Sequence, residues 1–319
     1  MNASLIKLVT ILSDGHYHDG TSIGAQLNIT RSAVWKMIRK LQDYKIKINS
    51  VKGKGYVLAE PFIILDLAEI NKKLEDKNLE INLFESINST NDYLKVPYES
   101  KNTVLCLAEQ QTAGKGRLGR KWHSPFGRNL YLSGRYFFRK DVSELAGLSL
   151  LTSLAVIAAL KSLGCNEEIL VKWPNDVFYQ HRKISGTLIE IQAESHGGSF
   201  AVIGIGINAN MIDDDPALTS AWISVQKIMA RYIDRNELAA HLINHLLSYL
   251  AEFDLHGFAP FVEMWGKRDY LRGQVVTLKN AQHEVRGRVL GVNEQGYLRL
   301  ELSDGSVRAF SSGDASIIR

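Results

Sequence analysis

At 319 residues the chain is longer than one typical domain and suggests two or three, and with 45% hydrophobic residues it can bury substantial cores, which excludes a disordered chain. Its formal charge of +4 is mild, so the location of the charge matters more than the total. The two cysteines, Cys106 and Cys165, form no Cys-x-x-Cys pair, which excludes a disulfide framework or zinc site and suggests two small core residues.

The first 60 residues hold nine Lys or Arg against four acids, a surplus larger than that of the whole chain. This basic region suggests a nucleic-acid surface. Leu5, Leu8, Val9 and Leu12 recur at helical spacing, and Asp14-Gly15 ends that helix. Thr21 can cap a short second helix with Ile23, Ala25 and Leu27 inward. After a turn at Asn28-Ile29, Thr30 can cap a third helix whose Val34, Ile38 and Leu41 face the core. Arg31, Ser32, Trp35, Lys36, Arg39 and Lys40 are then on or near the solvent face, as in a helix-turn-helix with a basic recognition helix. Ile46 to Leu58 alternates as a hairpin around Lys52-Gly-Lys-Gly55, which places Lys52 and Lys54 at a wing tip near phosphates. A solvated basic face on a small helical bundle has the same charge pattern.

Pro61 marks the exit, and 62–77 reads as a partly helical link. Ile81 to Glu85 is a predicted strand, followed by a turn, Ser86-Ile-Asn-Ser-Thr-Asn91, into a helix that Ser89 or Thr90 can cap. The longest uncharged apolar run, Leu145 to Leu160, falls short of the roughly 20 residues that span a bilayer; it lies in a predicted core helix, Leu145 to Leu163, that Ser143-Glu144 caps and Gly164 ends. Met1 to Leu12 lacks the pattern of a signal peptide, so a cytoplasmic location is expected. Phe200 to Ile207 reads as a buried strand ending at Asn208, and Asn236 to Leu250 and Gly257 to Trp265 as amphipathic helices. Beyond Arg272, runs at Val275–Leu278, Val285–Val292 and Tyr297–Leu302, parted by turns at Asn280-Ala-Gln, Asn293-Glu-Gln-Gly296 and Ser303-Asp-Gly305, predict a small antiparallel β-barrel.

Two stretches carry the chemistry. From Glu109 to Leu132 a loop rich in glycine (Gly114, Gly116, Gly119) and cations (Lys115, Arg117, Arg120, Lys121) lies between β-prone runs. Such a loop brings backbone N–H groups and cations against an anion, because glycine permits close approach. The spacing Gly114-x-Gly-x-x-Gly119 requires a following helix for dinucleotide binding, but Pro125 and Gly127 interrupt one. A kinase loop is excluded because no His-Arg-Asp or Asp-Phe-Gly follows, His181-Arg182-Lys183 being only superficially similar. The loop alone reads as a phosphate or carboxylate site, or as a solvated basic hairpin. The second stretch, Val171 to Tyr179 continuing through Gly186 into Thr187–Ile191, reads as a hairpin with polar residues at its strand ends.

Taken together, the motifs resemble those of the biotin protein ligases, specifically the bifunctional ligase and biotin-operon repressor family of bacteria. They are Ser89-Thr-Asn91, Gln111-x-Ala-Gly-x-Gly-Arg-x-Gly-Arg-x-Trp122, Ser124-Pro-x-Gly127, Lys172-Trp-Pro-Asn-Asp176, Arg182-Lys-x-x-Gly186 and Gly204-x-Gly-x-Asn208, in order across some 120 residues. The resemblance implies a multidomain α+β fold: a winged helix-turn-helix at 1–61, a central α/β ligase domain at 62–270 with a class II synthetase-like mixed sheet and helices, and an SH3-like barrel at 271–319. The implied reaction makes biotinyl-5′-adenylate from biotin and ATP, and then biotinylates a lysine of the biotin carboxyl carrier protein of acetyl-CoA carboxylase.

A carboxylate attacks an α-phosphate poorly because both are anions, so cations must neutralise the pair and align it. Arg117, with a planar fork, and Lys183, with a mobile point charge, are assigned that work. Asp176 is the candidate for organising Mg²⁺ or orienting the attacking lysine. The family places Ser89, Thr90 and Asn91, Gln111, Gly114 and Gly116, Arg117, Lys183 and Gly186 around biotin. Trp122 is the suggested apolar wall, although core packing is an equal use for it. Lys172, Asn175, Asn208 and Trp222 fall on the nucleotide side. Thr30, Arg31, Ser32, Trp35, Lys36, Arg39, Lys52 and Lys54 are the implied DNA contacts, with operator DNA bound by a homodimer that the adenylate, as corepressor, favours. The family typically carries Gly-Arg-Gly-Arg-Arg-Gly, where this loop has Lys115 and Leu118 in place of the first and third arginines. A sensing regulator with a dead catalytic domain, an enzyme for lipoate or octanoyl groups, and a ligase without DNA binding are the competing readings.

Overall fold

The computed structural model describes residues 3–95, 102–194, 197–212, 221–279 and 284–318. Three helices, α1 (Ala3–Leu12), α2 (Gly20–Leu27) and α3 (Arg31–Asp43), and a hairpin of β1 (Ile48–Val51) with β2 (Gly55–Leu58) make up the N-terminal unit. Leu5, Leu8, Leu12, Ile23, Val34, Ile38 and Leu41 form its core. Asp19, not Thr21, caps α2: its carboxylate accepts the Thr21 and Ser22 N–H groups at 2.9 and 3.0 Å. That earlier start turns Ile23 and Gly24 inward and leaves Ala25 exposed, against the expected inward Ala25. Thr30 caps α3 as expected.

The central unit runs through α4 (Leu67–Lys73), β3 (Glu80–Phe84), α5 (Thr90–Leu94), β4 (Val104–Ala108), β5 (Leu130–Phe138), α6 (Leu148–Ser162), β6 (Leu170–Lys172), β7 (Asp176–Tyr179), β8 (Arg182–Ala193), β9 (Ser199–Ile207), α7 (Val225–Met229), α8 (Arg235–His256) and α9 (Val262–Gly266). Its seven-stranded sheet has the order β3-β4-β5-β9-β8-β7-β6, with β3 and β4 parallel and the other pairs antiparallel. The apolar helix is split. Gly147, at φ +90°, separates α6 from a short turn at Val142–Leu145, and Asp141 with Glu144 forms the capping box there in place of the expected Ser143-Glu144 cap. A Cβ at Gly147 would sit 2.7 Å from the Phe258 ring, so glycine is required on both counts. By length and composition Val142–Ser162 could cross a membrane, but α6 is buried on nearly all sides against the sheet and α8.

The C-terminal unit is a five-stranded antiparallel sheet of β10 (Val275–Lys279), β11 (Glu284–Val292), β12 (Leu298–Glu301), β13 (Val307–Phe310) and β14 (Asp314–Ile317), in the order β13-β12-β11-β10-β14. The last two strands extend the three predicted runs. The turn expected at Asn280-Ala-Gln lies outside the described residues. Val276, Leu278, Val289, Leu298 and Leu300 join the core of the central unit, so the two pack as one body.

The N-terminal unit is also mounted firmly. Phe126, in the C-terminal part of the glycine loop, is buried in that unit's core and stacks on Tyr44, the C-cap of α3, with ring centroids 4.0 Å apart. An ion pair between Arg235 and Glu109, 2.7 Å apart and fully buried, holds the connecting segment: Glu109 accepts the Leu65 N–H and Arg235 donates to the Ile63 carbonyl.

Candidate active site

The end of β4 and the start of α5 form the floor of the site. Ser89 caps α5, and the Thr90 N–H and hydroxyl both donate to Gln111 Oε1, at 2.9 and 3.0 Å. Gln111 Nε2 donates to Ser124 Oγ at 3.1 Å, so this floor is tied across the base of the glycine loop. Asn91 is buried. Its amide nitrogen donates to Glu190 at 3.0 Å and its oxygen accepts from Ser133 at 2.6 Å, which gives it a supporting place under Thr90.

Three glycines make room for what lies above. A Cβ at Gly206 would come 2.3 Å from the Trp122 ring, one at Gly186 within 2.9 Å of Lys183 Nζ, and one at Gly114 within 2.7 Å of Ser124 Oγ. Trp122 therefore lies close against the sheet while lining the cleft, with the Lys183 ammonium 5.3 Å from its ring centre. At the loop tip Leu118 adopts a left-handed backbone, φ +55°, and is 76% exposed.

The cations converge from three directions. Lys183 Nζ forms an ion pair with Asp176 Oδ1 at 2.6 Å. Arg117 donates to Asn175 Oδ1 at 3.2 Å and to the Gly313 carbonyl at 3.3 Å, with Asp314 3.7 Å away; Arg120 also pairs with Asp314, at 2.9 Å. The C-terminal unit thus supplies an anionic edge to the glycine loop. Lys115 pairs with Asp92 of α5 at 2.6 Å, which pins the loop from the other side. Burial holds the Lys172 ammonium below its ordinary pKa, with Asp176 opposing the shift.

Asn175 donates to the Thr187 carbonyl at 2.7 Å, and Asn208 to the Lys183 carbonyl at 3.2 Å. The Lys183 backbone pairs with the segment around Trp222, through Ala221 and Ile223, and Lys227 lies 4.6 Å from the Trp222 ring centre. The sequence-predicted ligand and nucleotide residues, Gly114 excepted, line one cleft of about 1200 Å³. Gly114 is buried behind the cleft wall. Sequence reasoning missed Asp92, next to the Ser89-Thr-Asn91 motif in α5, and Asp314, Ser133 and Glu190, which carry no local motif and reach the site only through tertiary packing. The cleft's described carboxylates are Asp176 and Asp314, and among the described residues no cluster of three metal-type side chains occurs.

On the N-terminal unit, Arg31, Ser32, Trp35, Lys36 and Arg39 are exposed on α3, and Lys52 and Lys54 on the wing. The Arg39 guanidinium lies 5.4 Å from the Trp35 ring centre. Thr30 is used as a cap, with its hydroxyl 2.9 Å from that of Ser32. Lys40 turns away from this face to pair with Glu85, which also accepts the Tyr44 hydroxyl at 2.9 Å. Burial and Glu85 together push the Tyr44 phenol up to about 12.

Comparison with known proteins accounts for all three units. Residues 83–208 match the biotin/lipoate A/B protein ligase family, 5–57 an HTH domain and 273–317 the biotin protein ligase C-terminal domain. The bifunctional ligase/repressor BirA of Escherichia coli (strain K12) is 36% identical over 318 residues, covering 99% of this chain and 98% of its own. The biotin–acetyl-CoA-carboxylase ligase of Paracoccus denitrificans is 31% identical over 221 residues, covering 66% and 90%. The biotin protein ligase of Aquifex aeolicus, solved in complex with biotin and ATP, superposes with a TM-score of 0.65 at 27% identity, covering 75% of this chain and 99% of that one. With three matched domains in order and a relative alike over its full length, the chain belongs to the family of bifunctional ligase/repressors among the biotin protein ligases.

Proposed function

We infer that this protein is an ATP-dependent biotin ligase that also represses transcription. The convergence of Arg117, Lys172 and Lys183 on one cleft, above a Thr90–Gln111 floor and beside Trp122, is the observation that carries the reading. In the first step a carboxylate oxygen of biotin attacks the α-phosphorus of ATP, the bond to the β-phosphate oxygen breaks, and pyrophosphate leaves. Arg117 and Lys183 neutralise the two anions and hold them in line. Lys183 exchanges its ion pair with Asp176 for the incoming carboxylate and phosphate, which frees Asp176.

In the second step the neutral amine of a carrier lysine attacks the acyl carbon of the mixed anhydride, the bond from that carbon to the phosphate oxygen breaks, AMP leaves with the bonding pair, and the surplus amine proton passes to solvent. Asp176 orients that amine. Of the cleft's described carboxylates, Asp176 beside Lys183 would hold Mg²⁺, which would supply phosphate neutralisation when bound. Ser89, Thr90, Asn91, Gln111, Gly114, Gly116 and Gly186 shape the ring site, and Asn175, Asn208 and Trp222 the nucleotide side. The acceptor is a biotin carboxyl carrier protein.

The repressor role uses Arg31, Trp35, Lys36, Arg39, Lys52 and Lys54 on operator DNA, with the bound adenylate favouring a homodimer that presents two winged helices. Two assays test the reading. ATP–pyrophosphate exchange is expected to require biotin, and a titration of DNA upstream of biotin-synthesis genes is expected to weaken steeply with salt. Exchange without biotin dependence would overturn the ligase assignment, and salt-insensitive or absent DNA binding the repressor assignment.

A further inference from the structure

Beneath the cleft floor Ser133 of β5 is fully buried, its hydroxyl oxygen 2.7 Å from Thr90 Oγ1 and 2.6 Å from Asn91 Oδ1. A hydroxyl has a single proton, so its neighbours decide where that proton points. The Asn91 amide nitrogen faces the Glu190 carboxylate at 3.0 Å and the Leu188 carbonyl at 3.4 Å, both of which only accept. This fixes the amide with its oxygen toward Ser133, and Ser133 is the donor that oxygen needs. Ser133 shares its proton between Asn91 Oδ1 and Thr90 Oγ1, so the Thr90 hydroxyl cannot turn toward Ser133 and donates to Gln111 Oε1, 3.0 Å away. With its proton so committed, Thr90, which lines the cleft, offers it a lone pair and not a proton.

We propose that Ser133, set by Asn91 and Glu190, is a positioning residue that makes Thr90 an acceptor for a ring N–H and thereby selects a cyclic urea; this rests on the biotin reading above. A ring without an N–H, such as the dithiolane of lipoate, leaves a desolvated acceptor unpaired, and sites built this way reject such analogues strongly. A second limb steadies the first: Glu190 also pairs with Lys95 at 2.7 Å, Lys95 with Asp92 at 2.9 Å, and Asp92 with Lys115 of the glycine loop.

The test compares the full-length wild type with Ser133→Ala, Glu190→Gln and the double variant in ATP–pyrophosphate exchange. Ser133→Ala is expected to raise the KM for biotin about tenfold, a loss of the size of one hydrogen bond, with the KM for ATP and turnover at saturating biotin within about twofold. Glu190→Gln moves the same KM in the same direction by about threefold, and the double variant is no worse than Ser133→Ala, because both changes break one relay. Preference for biotin over lipoate falls with them. Glu190 is partly exposed, so its variant carries the test even where Ser133→Ala does not fold. An unchanged biotin KM in both single variants, or additive effects in the double, would overturn the proposal while leaving wild-type biotin exchange intact. Wild-type exchange that ignores biotin would overturn the ligase reading and this proposal with it.

Discussion

Lys183 is paired with Asp176, its ammonium 2.6 Å from the carboxylate, before any substrate carboxylate is present. The pair keeps a cation in the partly enclosed cleft, where a substrate anion can meet it. Lys183→Ala is therefore expected to slow adenylate formation by two to three orders of magnitude, since losing a preorganised charge contact costs about 2.7–4 kcal/mol. Biotin-dependent pyrophosphate release measures it. A rate within a factor of about three of wild type would remove Lys183 from the chemistry.

Arg117 joins the glycine loop to both the Asn175 strand end and the C-terminal unit through Gly313 and Asp314. Its loss unlatches the loop as well as removing a charge. Arg117→Ala is expected to release the adenylate into solution and to modify lysines indiscriminately. Mass spectrometry of bystander proteins reads this directly, and unchanged adenylate retention would refute the assignment.

Phe126 couples the loop to the DNA-binding unit by stacking on Tyr44 within 8° of parallel. It is nearly fully buried, so Phe126→Ala is expected to cost about 3–5 kcal/mol and to lower the melting temperature of the N-terminal unit. Calorimetry checks this, and a loss under about 1 kcal/mol would contradict the packing described here.

Burial pushes the Asp269 carboxyl from its ordinary 3.8 up to about 6, and one of its oxygens has no hydrogen-bond partner. Between those values the folded chain holds a proton that the unfolded chain has lost. The stabilising effect is complete below pH 3.8 and is lost as pH rises through 6, by roughly 3 kcal/mol in total. Asp269→Asn is expected to flatten this fall and to melt higher than wild type at pH 8. Parallel melting curves at pH 5 and pH 8 check it, and an unchanged pH slope would refute it.

The helix-turn-helix, the wing, the glycine loop and the hairpin motifs were legible because period, capping residues and turn chemistry are local. What was hidden was long-range. The Arg235–Glu109 pair and the Arg117–Gly313 contact span 126 and 196 residues, and no spacing rule announces either. The break at Gly147 was misread because an apolar run conceals a glycine that a distant ring, Phe258, requires. β13 and β14 were missed because Val307–Phe310 is mostly exposed and Asp314–Ile317 is short, so neither stands out as an apolar run. Ser133 reads as one more residue of a buried strand until Thr90 and Asn91 fold onto it.

The central claim is tested most directly by incubating the protein with ATP, Mg²⁺, a biotin carrier domain and labelled biotin, with labelled lipoate in parallel. Label on the carrier lysine from biotin alone is the predicted result. Transfer of lipoate in place of biotin, or tight biotin binding with no transfer, would contradict it.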